Sequence, residues 1–193
     1  MNFNLNDKSL VGGGSVIFNQ GIAGKVDDAK VSVTKRSMED ADNAPDYKLI
    51  LTDNDGGTVN QGFYYHKDND QYDQVKNQAN AGYLIGRILS VAKAVVPEDF
   101  MFPNVDGKSP KEIVDILFTI IRENAEGKLV NAFVTYGTKT KPSLYLGLRF
   151  FNFVEPQDVK YSRLKPTGND MMERLVEDMP KSDSAAGNTK SPW

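Results

Sequence analysis

The apolar residues of this chain change period twice, and that switch limits what it can fold into. Over residues 15–65 they alternate. Val31 and Val33 sit between Lys30, Ser32 and Thr34, a short apolar run covers Tyr47–Thr52, and a return run covers Val59–Tyr65. From about Gln71 to Val96 the spacing becomes helical, with Leu84, Ile85, Ile88, Leu89, Ala92, Val95 and Val96 on one stripe. A second stripe follows at Ile113, Ile116, Leu117, Ile120 and Ile121, and alternation resumes at Lys128–Thr135 and Ser143–Val154. A period of 2 predicts strands and one of 3.6 predicts helices, so helices are inserted into a set of strands.

Local signals place the breaks. Val16 and Phe18 alternate before a Gly-Ile-Ala-Gly turn at 21–24, so a strand is expected there. Asp53-Asn54-Asp55-Gly56-Gly57 is a hairpin signal, because these residues tolerate the positive φ a tight turn needs. The stretch Asp73–Asn80 is polar and is expected to fray or face solvent, and Pro97 ends the first helix. Ser109-Pro110 with Glu112 forms a capping box with proline at the first helical position, and Gly127 stops that helix. Residues 136–142 form a turn. The order is strands, hairpin, two helices, two strands, tail. The expected class is mainly β with inserted helices (α+β): an OB-fold-like five-stranded barrel with a helical insertion and a disordered C-terminal tail. With 193 residues, one domain of ordinary size is expected. It divides into a flexible segment at 1–14, an OB-fold-like domain at 15–160 and an acidic flexible tail at 161–193.

Composition removes whole chemistries. With no cysteine, disulfides, thiolate nucleophiles and Cys-ligated metals are excluded, and a reducing compartment fits. No apolar run spans a membrane, and Met1–Gly14 lacks the basic and apolar regions of a secretion signal. There is one histidine, His66, and no GxSxG, HExxH or GxGxxG pattern. Asn19–Lys25 is the nearest approach to a phosphate loop, with Asn19 in place of the first glycine and Val26 in place of Ser/Thr. Asp53 and Asp55 lack the further ligands of an EF-hand loop, because Gly57 and Tyr64 stand at those positions. No catalysis and no cofactor are expected. The net charge is −3, and residues 166–193 carry five acids against three bases, so any polyanion site must be a local patch.

The last strand suggests such a patch. Leu144, Leu146, Leu148 and Phe150 are expected to face the core, leaving Tyr145, Arg149, Phe151 and Phe153 outward. In its partner Val130, Ala132 and Val134 point inward, leaving Asn131, Phe133 and Thr135 outward, with Lys128, Lys139 and Lys141 nearby. Rings interleaved with cations suit a single strand of nucleic acid, where bases stack and phosphates pair. The alternative is that helix 110–125 covers this face as a second core layer. Tyr64, within Phe63-Tyr64-Tyr65, is a further stacking candidate, and Lys25, Lys30, Lys35 and Arg36 form a basic stripe. The nucleic-acid contacts expected are Lys30, Arg36, Tyr64, Lys128, Phe133, Lys139, Lys141, Tyr145, Arg149 and Phe151. In the tail, Asp183, Pro192 and Trp193 are expected to dock partner proteins, because the only tryptophan lies in an acidic, low-complexity stretch.

The runs at Ala44–Asp53 (APDYKLILTD), Gly62–Tyr65 (GFYY), Val130–Thr138 (VNAFVTYGT) and Phe150–Pro156 (FFNFVEP) resemble predicted single-stranded DNA-binding proteins of tailed bacteriophages. Those of phages infecting Bacteroidetes hosts, the crAss-like group included, are similar over roughly residues 15–156. The resemblance implies an OB-fold, no catalysis, and coating of single-stranded DNA without much sequence preference during replication and recombination in the host cytoplasm. The tail is similar in kind to the acidic, aromatic-ending tails that recruit replication and repair enzymes, with Trp193 in place of the usual phenylalanine. Two other readings remain: a virion structural or assembly protein that uses the aromatic face as a subunit interface, and a metal-dependent nuclease built on Asp53 or Asp55.

Overall fold

The computed structural model describes residues 16–37, 40 and 43–174. Among them are six strands in one antiparallel sheet and two helices, an α+β arrangement. The strands are β1 (Gly24–Lys35), β2 (Tyr47–Thr52), β3 (Thr58–Phe63), β4 (Leu129–Thr138), β5 (Lys141–Leu148) and β6 (Val154–Pro156); the helices are α1 (Gln74–Val95) and α2 (Pro110–Asn124). The sheet order is β3-β2-β1-β4-β5, with β6 also pairing β4. The two outer strands, β3 and β5, approach one another without a hydrogen-bonded ladder.

The strand expected around Val16 and Phe18 is instead a 3-10 turn at Phe18–Gly21, with Asn19 and Gln20 at positive φ. Asp53 dictates this. Its carboxylate accepts from the Asn19 N–H at 2.6 Å and from the Asp55 and Gly57 N–H groups at 3.0 and 2.7 Å. Gly57 is required here, because a Cβ would lie 2.7 Å from the Phe18 backbone. Asp53 is therefore occupied by backbone amides and organises a turn, which removes the basis for an ion site on it.

In β1 the inward residues are Val26, Ala29 and Val31, which break strict alternation. A bulge at Asp28 (φ 60°) supplies the extra residue, so the register passes from Val26↔Ala132 to Ala29↔Val130. Beyond it β1 turns to pair β2, where Tyr47, Leu49 and Leu51 are buried. Each fully buried side chain of this size contributes about 1.5–3 kcal/mol.

Helix α1 begins at Gln74. Asp73 accepts from the Lys76 N–H at 2.7 Å, and buried Asn77 is bonded to Asn69 on both sides, so this polar start is tied down and does not fray. The capping box of α2 forms as expected: the Ser109 N–H donates to Glu112 at 2.8 Å, and Ser109 Oγ accepts from the Glu112 N–H at 3.3 Å. Its apolar face is Val114, Leu117, Phe118, Ile120 and Ile121, and Phe118 stacks on Tyr47 with ring centroids 4.1 Å apart.

Strand β4 is buried on both faces. Val130, Ala132 and Val134 join the main core, and Asn131, Phe133 and Thr135 are covered as well. The cover is not α2. It is the segment after β6, which runs back along the sheet: the Tyr136 N–H donates to Met171 O at 2.8 Å and the Lys139 N–H to Asn169 O at 3.0 Å. Leu164 and Asp170 are buried within it, so the expected tail boundary at 161 falls inside the packed structure.

Candidate nucleic-acid interface

The expected return strand at 143–154 is interrupted. Phe133 spends both backbone hydrogen bonds on residues four apart: its carbonyl accepts from the Arg149 N–H at 3.1 Å, and its N–H donates to Phe153 O at 2.9 Å. Residues 150–152 are thereby looped out, with Asn152 at φ 48°. The loop resets the alternation. Phe150, expected in the core, projects outward with Phe151, each 52% exposed, while Phe153, expected outward, is buried.

Two expected contacts are corrected by burial. Phe133 is 1% exposed and lies under the Arg149 guanidinium, whose carbon is 4.1 Å from the ring centroid. Arg149 is 7% exposed and fully engaged. It donates to Phe151 O (2.8 Å), Lys165 O (2.8 Å), Asn152 O (2.6 Å) and Asp170 Oδ2 (3.1 Å). It is a clasp that holds the 150–152 loop and the covering segment together.

The remaining contacts expected in the described residues are exposed and fall into several places. Lys139 and Lys141 occupy the β4–β5 turn, and Tyr145, 77% exposed, stands further along β5. Lys30 pairs across to Leu129, which places Lys128 next to it at the start of β4. Arg36 and Tyr64 flank the loop before β2: the Arg36 N–H donates to Asp46 O, and the Tyr64 hydroxyl to Asn43 O at 3.4 Å. Asp183, Pro192 and Trp193 lie outside the described residues.

Packing assembles a cluster that the sequence reading missed. Tyr83 and Arg87, four residues apart on α1, meet the looped-out phenylalanines. The Tyr83 and Phe151 rings are 6.0 Å apart and Phe150 and Phe151 4.5 Å apart, both edge to face. The Arg87 guanidinium lies 4.3 Å from the Phe150 ring, with Phe63 at 5.3 Å and Phe153 at 5.4 Å. Its Nε is buried without a hydrogen-bond partner, and among the described residues no carboxylate pairs with it. Burial pulls its pKa below the usual arginine value. One signal was present in the sequence: Arg87 is the only charged residue in the 16 residues Asn77–Ala92.

A second polar cluster joins α2 to the sheet. Asp115 accepts from the Tyr47 and Tyr65 hydroxyls and faces Lys35 at 3.5 Å and Lys111 at 3.7 Å. Burial and the Asp115 carboxylate push Tyr47 up to about 12 and raise Tyr65 as well. Burial opposes ionisation of Asp115, but the two hydroxyls and two lysines outweigh it and hold its pKa below the ordinary value. The cluster is an anchor between α2 and the β2–β3 edge.

The chain matches no protein-family model, no curated protein and no solved structure. No helix among the described residues is long and apolar enough to cross a membrane.

Proposed function

We propose that the protein binds single-stranded DNA, coating it with little sequence preference during phage replication and recombination in the host cytoplasm. One observation carries this reading. Two segments are free of acidic residues: 74–97, with Lys76, Arg87 and Lys93, and 127–154, with Lys128, Lys139, Lys141 and Arg149. In a chain of net charge −3, that places lysines and Arg87 without competing anions in the segments that carry exposed Tyr83, Tyr145, Phe150 and Phe151, whereas Arg149 is already neutralised by Asp170. Phosphates pair with such cations and bases stack on such rings.

The fold reading is consistent with this function. Strand order β3-β2-β1-β4-β5, a bent β1, helices inserted between β3 and β4, and the approach of β3 to β5 suit a partly open OB-type barrel. In this reading Lys30, Arg36, Lys128, Lys139 and Lys141 track phosphates. The acidic stretch containing Asp183, Pro192 and Trp193 recruits partner proteins and competes with DNA.

The test is a fluorescence-anisotropy titration of labelled oligo-dT against a duplex of equal length at two salt concentrations. Tight binding to the single strand that weakens steeply with salt is expected. Absence of binding at low salt overturns the proposal. A fixed oligomer indifferent to oligonucleotide and salt points instead to a virion subunit, with the exposed rings as its interface.

A further inference from the structure

Buried Arg149 and half-buried Arg87 are treated differently by this fold. Arg149 is neutralised by Asp170 at 3.1 Å and satisfied by three carbonyls. Arg87 lies among three rings, with a buried Nε that has no acceptor, and among the described residues no carboxylate lies within ion-pair distance of it. A partly desolvated guanidinium without an anion is costly, and an incoming anion relieves that cost. The rings around it also fix its position, so little side-chain entropy is lost when an anion arrives.

The surroundings select the kind of anion. Phe150, Phe151 and Tyr83 are each at least half exposed beside this cation. Neither α1 nor the 149–153 loop contributes an acidic residue that would repel a polyanion. A free anion needs no aromatic platform, whereas a nucleotide uses both features.

The geometry points to a nucleotide subsite on the α1 side of the sheet: a base of the single strand stacks on Phe151 beside Tyr83, and an adjoining phosphate pairs with Arg87. This rests on the single-strand reading above and moves its main stacking contact from the β4–β5 face to α1 and the 150–152 loop.

The full chain and its variants are titrated with labelled oligo-dT and with an abasic oligonucleotide of equal length and charge. Phe151→Ala is expected to weaken oligo-dT binding about 5- to 150-fold, the equivalent of ~1–3 kcal/mol per stacked base, and to leave the abasic strand unaffected. Arg87→Gln is expected to weaken both strands and to flatten the log–log salt slope by about 0.7, the contribution of one phosphate. Arg87 is packed among rings, so its variant is read only with a cooperative melting transition. Tyr83→Ala and Phe151→Ala alter exposed rings and decide the stacking half independently. If the wild-type chain ignores oligo-dT at low salt, the single-strand reading itself fails. If it binds while Phe151→Ala and Tyr83→Ala bind equally well, the subsite is overturned and the general reading stands.

Discussion

Arg149 and Arg87 show how one residue type acquires opposite roles from its neighbours. Arg149 stood out in the sequence as a cation on an aromatic strand, yet its four donated bonds make it a structural clasp. Arg149→Ala leaves the Asp170 carboxylate buried and unpaired, so a loss of about 3–5 kcal/mol is expected in urea denaturation. The tyrosine pair on Asp115 gives a second prediction at this scale. A phenol whose folded pKa is raised stabilises the fold fully below its ordinary value of 10.0, and that contribution is lost as pH rises through about 12. The denaturation midpoint should therefore fall across that window in the wild-type chain and fall less in Tyr47→Phe. Asp115 acts at the other end: its lowered pKa gives stability above 3.8 that is lost as pH falls.

Helix α2 and the β4–β5 hairpin are the elements whose local chemistry is clearest. Ser109→Ala removes one side of a complete capping box and should cost about 1 kcal/mol, read as a lowered melting temperature. The hairpin turn depends on Gly137, at φ 81° and pressed against the Lys141–Ser143 backbone. That tight turn carries Lys139 and Lys141 at its tip. Reversing both charges to glutamate should weaken oligo-dT binding and flatten the salt slope by about 0.7 for each phosphate left without its lysine, with the melting temperature unchanged.

Across the whole molecule, the sheet is sealed by sequence-distant parts: the 53–57 loop by the 3-10 turn, and the outer face of β4 by residues 157–171. Cutting the chain after Arg174 keeps all of these interactions, so a wild-type melting temperature is expected, together with tighter DNA binding and loss of partner recruitment. Cutting after Lys165 removes Asp170 and unpairs Arg149, so this variant should melt well below the other. Calorimetry on the pair checks both.

The element order from β1 to β5, both helices, the capping box and the hairpin at 53–57 were legible in the sequence, whereas the strand expected at Val16 and Phe18 is a 3-10 turn and β6 was not foreseen as a separate strand. The legible elements follow from periodicity and from backbone preferences of single residues, which act over a few positions. The outward face of β4 and the end of the last strand were not. Alternation along Ser143–Val154 assigns Phe150 inward and Phe153 outward, and the loop at 150–152 reverses both. Nothing local signals that loop, because it exists to let Arg149 and Phe153 share the backbone of Phe133. Likewise the sequence supplied Tyr83, Arg87, Phe150 and Phe151 as separate residues, over 60 positions apart between the two pairs. Only the packing of α1 against the β5–β6 junction makes them one surface, since which rings stay exposed depends on what long-range packing leaves uncovered.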